Sequence, residues 1–400
     1  MNWKRVPIGS VSNVVTKGTT PTSIGFNFAK EGIPFLRVNN IQNGKLIVDD
    51  ILFIDSKTDE ALARSRIQPK DLLISIAGTI GRTAVVPPGT QAMNCNQAVA
   101  IVRFQKSVDP YYVNYWLGTD DATKQIAGVK VTATISNLSL GCIKELKIPL
   151  PPLEEQRRIA AILDRADAVR RKRQEAIRLT EELLRSLFLE MFGDPVTNPK
   201  GWSMKPMNEV IQHIEAGWSA NGEERRAESN EWGVLKISAV TSGRFREYEH
   251  KAVEALSSKK SLIVPQRGDL LFSRANTRDL VAATCLVEKN YENLFLPDKL
   301  WRIKPNPALA TAEYLRFLLS DTKYRSLIAR KATGTSGSML NVSQAKLLEM
   351  DAVIPPLNVQ KRFAEMVWQV FEIRKRYELA SNKVDNLFNS LLQRAFRGEL

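Results

Sequence analysis

Two histidines and three cysteines are all that this chain of 400 residues has of the side chains that most often bind metals or attack substrates. His213 and His250 stand far apart and outside any HExxH or Cys/His ligand spacing, which excludes a recognisable metal site. Cys95, Cys142 and Cys285 are odd in number, widely separated and free of a CxxC pattern, so they read as reduced thiols rather than a disulfide framework. No GxxxxGKS or GxxxxGKT phosphate loop occurs, and no GxGxxG follows a strand-like run. Asp109-Pro110-Tyr111-Tyr112 superficially resembles the DPPY loop of amino-methyltransferases, but the second proline is missing and no glycine-rich cofactor loop accompanies it. A helix start is expected there instead. No uninterrupted apolar run approaches the roughly 18 residues of a membrane span, and Met1-Asn2-Trp3-Lys4-Arg5-Val6-Pro7 has no apolar signal core. The expectation is a non-catalytic cytoplasmic protein that carries no cofactor and no metal.

What the chain does have is positive charge, with 57 Lys and Arg against 43 Asp and Glu, a net of +14. The excess is spread through the chain rather than held in a tail, which suits an extended polyanion as partner. It also has internal repetition. Trp3, Pro7, Val11 and Gly18 match Trp202, Pro206, Val210 and Gly217 at one constant separation. Leu36-Arg37-Val38, Ile41 and Gly44 continue the match onto Leu235-Lys236-Ile237, Val240 and Gly243. Asp71-Leu72-Leu73-Ile74-Ser75 then matches Asp269-Leu270-Leu271-Phe272-Ser273, and Tyr112-Val113-Asn114-Tyr115 matches Tyr314-Leu315-Arg316-Phe317. The separation drifts by only a few positions, so the copies differ by small loop insertions.

Each copy ends in a long helical stretch. Proline-rich entries, Ile148-Pro149-Leu150-Pro151-Pro152-Leu153 and Ile354-Pro355-Pro356-Leu357, stop the preceding structure and admit a helix. The stretches from Leu153 to about Met191 and from Leu357 to the end then align without a gap: Gln156 with Gln360, Arg170 with Arg374, Phe192 with Phe396. Phe363, Met366, Val370, Ile373, Tyr377, Ala380, Val384, Leu387 and Leu391 fall on alternating steps of three and four, a heptad seam. Ile159, Ile162, Ala166, Val169, Ala176, Leu183 and Leu187 hold the same register. Two such seams are expected to pair as a rod on the order of 55 Å long. A globular domain brings its ends close together, so the two helices are expected to run antiparallel with one domain at each end.

The expected organisation is therefore residues 1–152 as a first globular domain, 153–192 as a central helix, 193–354 as a second globular domain and 355–400 as a C-terminal helix. Within each globular copy, Leu46-Ile47-Val48, Leu72-Leu73-Ile74-Ser75-Ile76 and Ala98-Val99-Ala100-Ile101-Val102-Arg103-Phe104 read as strands. A helix begins near Asp109-Pro110. The class is α+β, two similar domains joined by two long antiparallel coiled-coil helices in a pseudo-twofold repeat, with curved or barrel-like sheets.

Loops rich in Ser, Thr, Asn, Gln and Arg are the candidates for binding, since these side chains read base edges and phosphates. In the first copy they offer Thr19, Thr20 and Thr22, then Ser75, Thr79 and Arg82, then Asn94, Asn96 and Gln97, and finally Lys130, Thr132 and Thr134. The second copy offers Arg274, Asn276, Thr277 and Arg278, then Lys299, and then Lys331, Thr333, Thr335 and Ser336. Corresponding loops are filled differently, so two domains of this kind would read two unlike half-sites, set apart by something near one helical turn, ~34 Å. A protein-binding coiled-coil adaptor with merely solvated basic charge is the alternative from a different class.

Over its whole length the chain resembles the specificity (S) subunit of type I restriction-modification systems. The marks are Pro151-Pro152-Leu153-Glu154-Glu155-Gln156-Arg157-Arg158-Ile159, its echo Pro355-Pro356-Leu357-Asn358-Val359-Gln360-Lys361-Arg362-Phe363, and Ser75-Ile76-Ala77-Gly78-Thr79-Ile80-Gly81 followed by Asn96-Gln97. In the echo Asn358-Val359 replaces Glu-Glu, and Ser273-Arg274-Ala275-Asn276-Thr277-Arg278 departs from the glycine-containing loop. The resemblance implies two target recognition domains, each reading half of a bipartite site in double-stranded DNA. It implies that the helices act as ruler and platform, with Gln156, Arg157, Arg158, Gln360, Lys361 and Arg362 on partner-binding helices. The partners would be two methyltransferase subunits using S-adenosylmethionine and restriction subunits with translocase activity; a methylation-only or fused-nuclease system is the variant within this class.

Overall fold

The computed structural model of the protein describes residues 3–42, 44–130, 137–253, 261–333 and 340–400. The chain divides into two compact units, Met1–Gln174 with Ala380–Leu400, and Glu175–Leu379. The fold is α+β, and the two units repeat one topology.

In the first unit a four-stranded antiparallel sheet runs in the order Ser12–Lys17, Val99–Phe104, Leu72–Ser75, Thr83–Val85. Its counterpart in the second unit runs Ile211–Ala216, Leu300–Pro305, Leu270–Ser273, Thr284–Leu286. A three-stranded sheet accompanies each. Ile33–Leu36 lies between Leu52–Ile54 and a short parallel strand Asn94–Cys95, and Trp232–Leu235 lies between His250–Val253 and Leu294–Phe295 in the same manner. A two-stranded ribbon, Arg5–Pro7 with Lys147–Pro149 and Ser203–Pro206 with Asp351–Ile354, brings the two ends of each globular part together.

Strand periodicity explains how one sheet serves two cores. Side chains alternate faces, so Leu72, Ile74, Ala100 and Val102 pack toward Tyr112 and Trp116 of the helix Pro110–Leu117, whereas Leu73, Val99 and Ile101 face Leu36 and Cys95. In the second unit Leu270, Phe272 and Ile303 join Tyr314 and Leu318, while Leu271 and Leu300 join Leu235 and Leu296. The Leu46-Ile47-Val48 run forms only the two-residue strand Lys45–Leu46, because it pairs solely with Ile41–Gln42 and leaves Val48 exposed.

The helix after the main sheet starts where expected. Asp109 accepts hydrogen bonds from Tyr111 N (2.9 Å) and Tyr112 N (3.1 Å), an N-cap with proline at the first turn. Thr311 caps the equivalent helix Ala312–Ser320 through Tyr314 N. Tyr112 then donates to Pro149 O (2.7 Å), and Tyr314 donates to Val353 O, so each helix is bonded to the ribbon that closes its domain. A buried carboxylate is paired in each sheet: Asp71 takes both Nε and Nη2 of Arg103 at 2.7 Å, and Asp269 takes Nη1 of Arg302 at 3.2 Å. Pairing is obligatory here, since an unpaired buried carboxylate is strongly destabilising.

The long helices are Leu153–Phe192 and Leu357–Arg397. They run antiparallel within each unit. In the first, Arg158 donates to Leu400 O (2.9 Å) and Arg170 lies 4.8 Å over the Phe388 ring. In the second, Glu181 meets Arg374 at 2.6 Å and Phe188 meets Phe363 with ring centroids 5.8 Å apart. The seam differs from the heptad expectation. Val169, Leu183, Ile373, Tyr377 and Leu387 are 39–67% exposed, and the buried row is Ile159, Leu163, Leu184 and Phe188 against Phe363, Val367, Phe388 and Leu392. The reason is that each helix packs on a globular domain as well as on its partner helix, which turns the buried face by about one residue from a two-helix seam. Among the described residues no helix is long and apolar enough to cross a membrane.

Candidate nucleic-acid interface

Two glycines fix the first loop of each copy. A Cβ on Gly18 would lie 2.0 Å from Cys95 O, and one on Gly217 would lie 2.1 Å from Leu296 O, so only glycine allows the chain to cross there. Thr19 N bonds Cys95 O (3.1 Å), and the Thr20 hydroxyl bonds the side chain of Gln97. Thr19, Thr20, Asn96 and Gln97 are thereby gathered at one end of the sheet. Thr22 is exposed on the short turn Pro21–Ile24, and Asn96 turns its own loop by accepting from Ala98 N. In the second copy the same crossing gathers Ser219, Asp298, Lys299 and Arg274. Ser219 bonds Asp298, and Arg274 donates to Asp298 O (2.9 Å) and Asp298 Oδ2 (3.0 Å). Burial works against the Asp298 charge, yet the Ser219 hydroxyl and the Arg274 guanidinium hold its carboxyl below the usual carboxylate range. Ser219 and Asp298 escaped the sequence reading; the offset that maps Gly18 onto Gly217 would have found Ser219 beside Thr20.

The glycine-containing loop after Leu72–Ser75 is shaped from within. Ser75 has no exposed surface; its hydroxyl donates to Thr79 O (2.6 Å) and accepts from Arg82 N (2.8 Å). Gly78 and Gly81 take φ values of +71° and +90°, leaving Thr79 exposed at the tip and Arg82 half-buried at its base. Asn94 is likewise inside, donating to Asp59 Oδ1 (3.1 Å) and Leu62 O (3.2 Å). Ser75 and Asn94 thus act on any ligand only through the loops they hold. The second copy replaces the glycine turn with a short strand, Ala275–Asn276, paired to Leu340–Asn341. Arg274 is half-buried against Asp298, Asn276 accepts from Thr277 N, and Thr277 and Arg278 are exposed.

Arg278 lines a groove of about 430 Å³ with Thr322, Arg325, Ser326 and Arg330. Arg325 is anchored by donating to Val281 O (2.9 Å) and Asp279 O (2.7 Å), whereas Arg278 and Arg330 have no ion-pair partner among the described residues. Lys331 is exposed at the end of the helix Thr322–Lys331, and the exposed Thr333 pairs by backbone with Asn341. Lys130 ends the matching helix Asp120–Lys130. Thr132, Thr134, Thr335 and Ser336 lie outside the described residues.

On the helices, Arg157 and Arg158 are exposed and paired to Glu154 and Glu155, and Lys361 and Arg362 are exposed. Gln156 and Gln360 differ: they are 1% and 0% exposed and bonded inward, which leaves no side-chain atom for a partner. Among the described residues no group of three or more His, Cys, Asp or Glu is arranged to hold a metal.

Residues 1–180 match the family model described as the type I restriction modification DNA specificity domain. The chain is 26% identical over 419 residues to the type I restriction enzyme EcoKI specificity subunit of Escherichia coli K12, covering 100% of this chain and 89% of that one. It is 22% identical to the MjaIX specificity subunit of Methanocaldococcus jannaschii, covering 96% and 91%. The fold is shared with the S subunit of a type I restriction-modification system from M. genitalium, at a TM-score of 0.54, 13% identity and 99% and 96% coverage. It is shared too with a chain from a structure on complex assembly and conformational transition of the type I R-M system, at a TM-score of 0.53, 21% identity and 100% and 98% coverage. With a duplicated α+β fold, two long antiparallel helices and relatives that match it nearly end to end, the chain is similar over its whole length to the specificity subunits of type I restriction-modification systems.

Proposed function

We propose that this chain is the non-catalytic DNA-reading subunit of a type I restriction-modification enzyme acting in the cytoplasm. Each globular part, residues 1–152 and 193–354, reads one half of a bipartite asymmetric site. The helical parts, 153–192 and 355–400, set the spacing of the halves and hold two methyltransferase subunits together with restriction subunits. The carrying observation is that the copies share their internal anchors and differ in their loops. Gly18 and Gly217, Asp71 and Asp269, and Tyr112 and Tyr314 do the same work, yet Thr20–Gln97 is replaced by Ser219–Asp298 and the Gly78–Gly81 turn by the strand at Ala275–Asn276. A fixed frame carrying two different sets of polar loops suits recognition of two different sequences.

The direct test is a single-molecule methylation map of the source genome with and without this gene. Loss of one split, asymmetric adenine-methylated motif is the expected result and names both half-sites. A wild-type map in which no split motif depends on the gene would overturn the reading.

A further inference from the structure

In the second unit three arginines and three glutamates form a neutral cluster where the globular part meets the helices. Arg374, 1% exposed, is at its centre. Its Nη1 meets Glu181 Oε1 of the other long helix at 2.6 Å, its Nη2 meets Glu288, and its Nε lies 3.8 Å from Glu378. Arg244 pairs with Glu378 and lies 4.0 Å from Glu181; Arg316 lies 3.8 Å from Glu181 and donates to Gly243 O at 2.9 Å. Glu181, Arg374 and Glu378 come from the two helices, and Arg244, Glu288 and Arg316 come from the globular part. Every link therefore crosses from one element to another, apart from the one turn between Arg374 and Glu378.

The first unit has the same frame with the cluster removed. The repeat aligns Arg374 with Arg170, Glu181 with Asp385, Glu378 with Gln174, Arg316 with Asn114, Glu288 with Pro87 and Arg244 with Lys45. Only one acid remains, a methylene shorter, and three positions have lost their charge. Arg170 turns to Asp167 on its own helix and to the Phe388 ring. A cleft of about 540 Å³ opens between Lys45, Asn114, Arg170 and Phe388, and Asn114 Oδ1, Arg170 Nε and Asp385 Oδ1 are buried without a hydrogen-bond partner among the described residues.

We infer that Arg374 is a positioning residue for DNA recognition: its guanidinium fork fixes how the second recognition domain is seated on the helices, and so where that domain presents its half-site. Geometry of this kind needs several fixed donors in one plane, which is the property that separates arginine from lysine. The first domain lacks the lock and is seated by apolar packing and by the hydrogen bonds of Gln156 to Asp109 and of Tyr115 to Asp164. The inference rests on the reading that two copies read two half-sites.

The experiment is methylation mapping in a host carrying the complete system, with wild-type chain, Arg374→Met, Arg374→Lys and Arg170→Met. Arg374→Met is expected to keep both half-site sequences and to raise methylation at sites with a spacer one base pair longer or shorter at least tenfold relative to the normal spacer. Arg374→Lys should fall between Met and wild type, and Arg170→Met should leave spacer choice unchanged. Hydrogen exchange on the full chain should show faster exchange around Arg244 and Glu288 in Arg374→Met, with the rest of the unit still protected. A uniform loss of methylation with unchanged spacer preference, or equal broadening by Arg170→Met, would overturn the inference. The absence of any split motif in the wild-type map would instead count against the underlying reading of function.

Discussion

Gln156 and Gln360 perform one job in two places. Gln156 Oε1 accepts from Asp109 N (2.9 Å) while its Nε2 donates to Ser107 O (3.1 Å) and Pro151 O (2.8 Å). Gln360 Oε1 accepts from Thr311 N (3.0 Å) while its Nε2 donates to Leu309 O and Pro355 O at 2.9 and 2.8 Å. Each amide binds the first turn of a long helix to the residue that caps the domain's own helix. The orientation of helix on domain is thus set at its root by neutral hydrogen bonds, in both copies alike.

Removing either amide should be expensive. Gln156→Ala leaves the Asp109 N–H and two carbonyls without their partner in a largely enclosed site, a cost of about 1–3 kcal/mol. Gln360→Ala should cost the same, and the denaturant midpoint should fall with little change in slope. A loss no larger than that of an exposed substitution, within about 0.5 kcal/mol, would show that water replaces the amide and that the latch is not structural.

Gly18→Ala and Gly217→Ala should each destabilise by about 1–3 kcal/mol or more, because the added carbon would meet a backbone carbonyl and not a movable side chain. Gly25 makes the useful contrast, since its left-handed backbone has open space around it. Thermal unfolding of the three variants checks this. If Gly18→Ala melts with the wild type, the crossing is looser than the fold implies.

Much of the frame could be read from residues alone, and the site less so. The repeat, the proline entries and the helix start at Asp109-Pro110 are local signals, with spacing and residue type enough to find them. Periodicity places Ile159, Phe363 and Val370 in the helix seam, where they are buried, but it records which residues are apolar and not how many surfaces compete for them; Leu387 fits a heptad and is 67% exposed. Gln156 looked like a surface residue because the groups it bonds, around Ser107 and Asp109, are distant in sequence. Ser75 and Asn94 were grouped with exposed loop residues because sequence does not say which polar side chain a loop folds around itself. The cluster around Arg374 draws on residues from five separate stretches, and only the folded chain assembles it.

Acid should weaken one joint of the second unit in a defined window. Lys323, together with Val196 N and Thr197 N, holds the Asp194 carboxyl down to about 2 from its ordinary 3.8. A depressed carboxylate contributes stability that is complete above its unfolded value and is lost as pH falls through its folded value. Lys323→Met should therefore lower the Tm near pH 6, and the gap from wild type should close between about pH 4 and pH 2. A gap that persists unchanged at pH 2 would show that the lysine acts by packing and not by charge.

The arginines of the second copy should separate into two kinds when binding is followed against salt. Arg278 and Arg330 are exposed at the groove without ion-pair partners among the described residues, as suits contacts to phosphates, whereas Arg274 is held by Asp298 and Asn341 and shapes the loop beside them. Each phosphate contact removed should reduce the slope of log K against log salt by about 0.9. Arg278→Ala and Arg330→Ala are thus expected to flatten the salt dependence of the assembled enzyme and to weaken all sequences alike. Arg274→Ala should leave the slope in place and relax the choice of bases in one half-site only, by about 1–3 kcal/mol where a base contact depends on it. Anisotropy titrations of a duplex carrying the mapped motif, repeated with each half altered, measure both quantities. An unchanged slope in Arg278→Ala would remove the groove from the DNA surface, and a flattened slope in Arg274→Ala would mean that its pair with Asp298 opens when DNA binds.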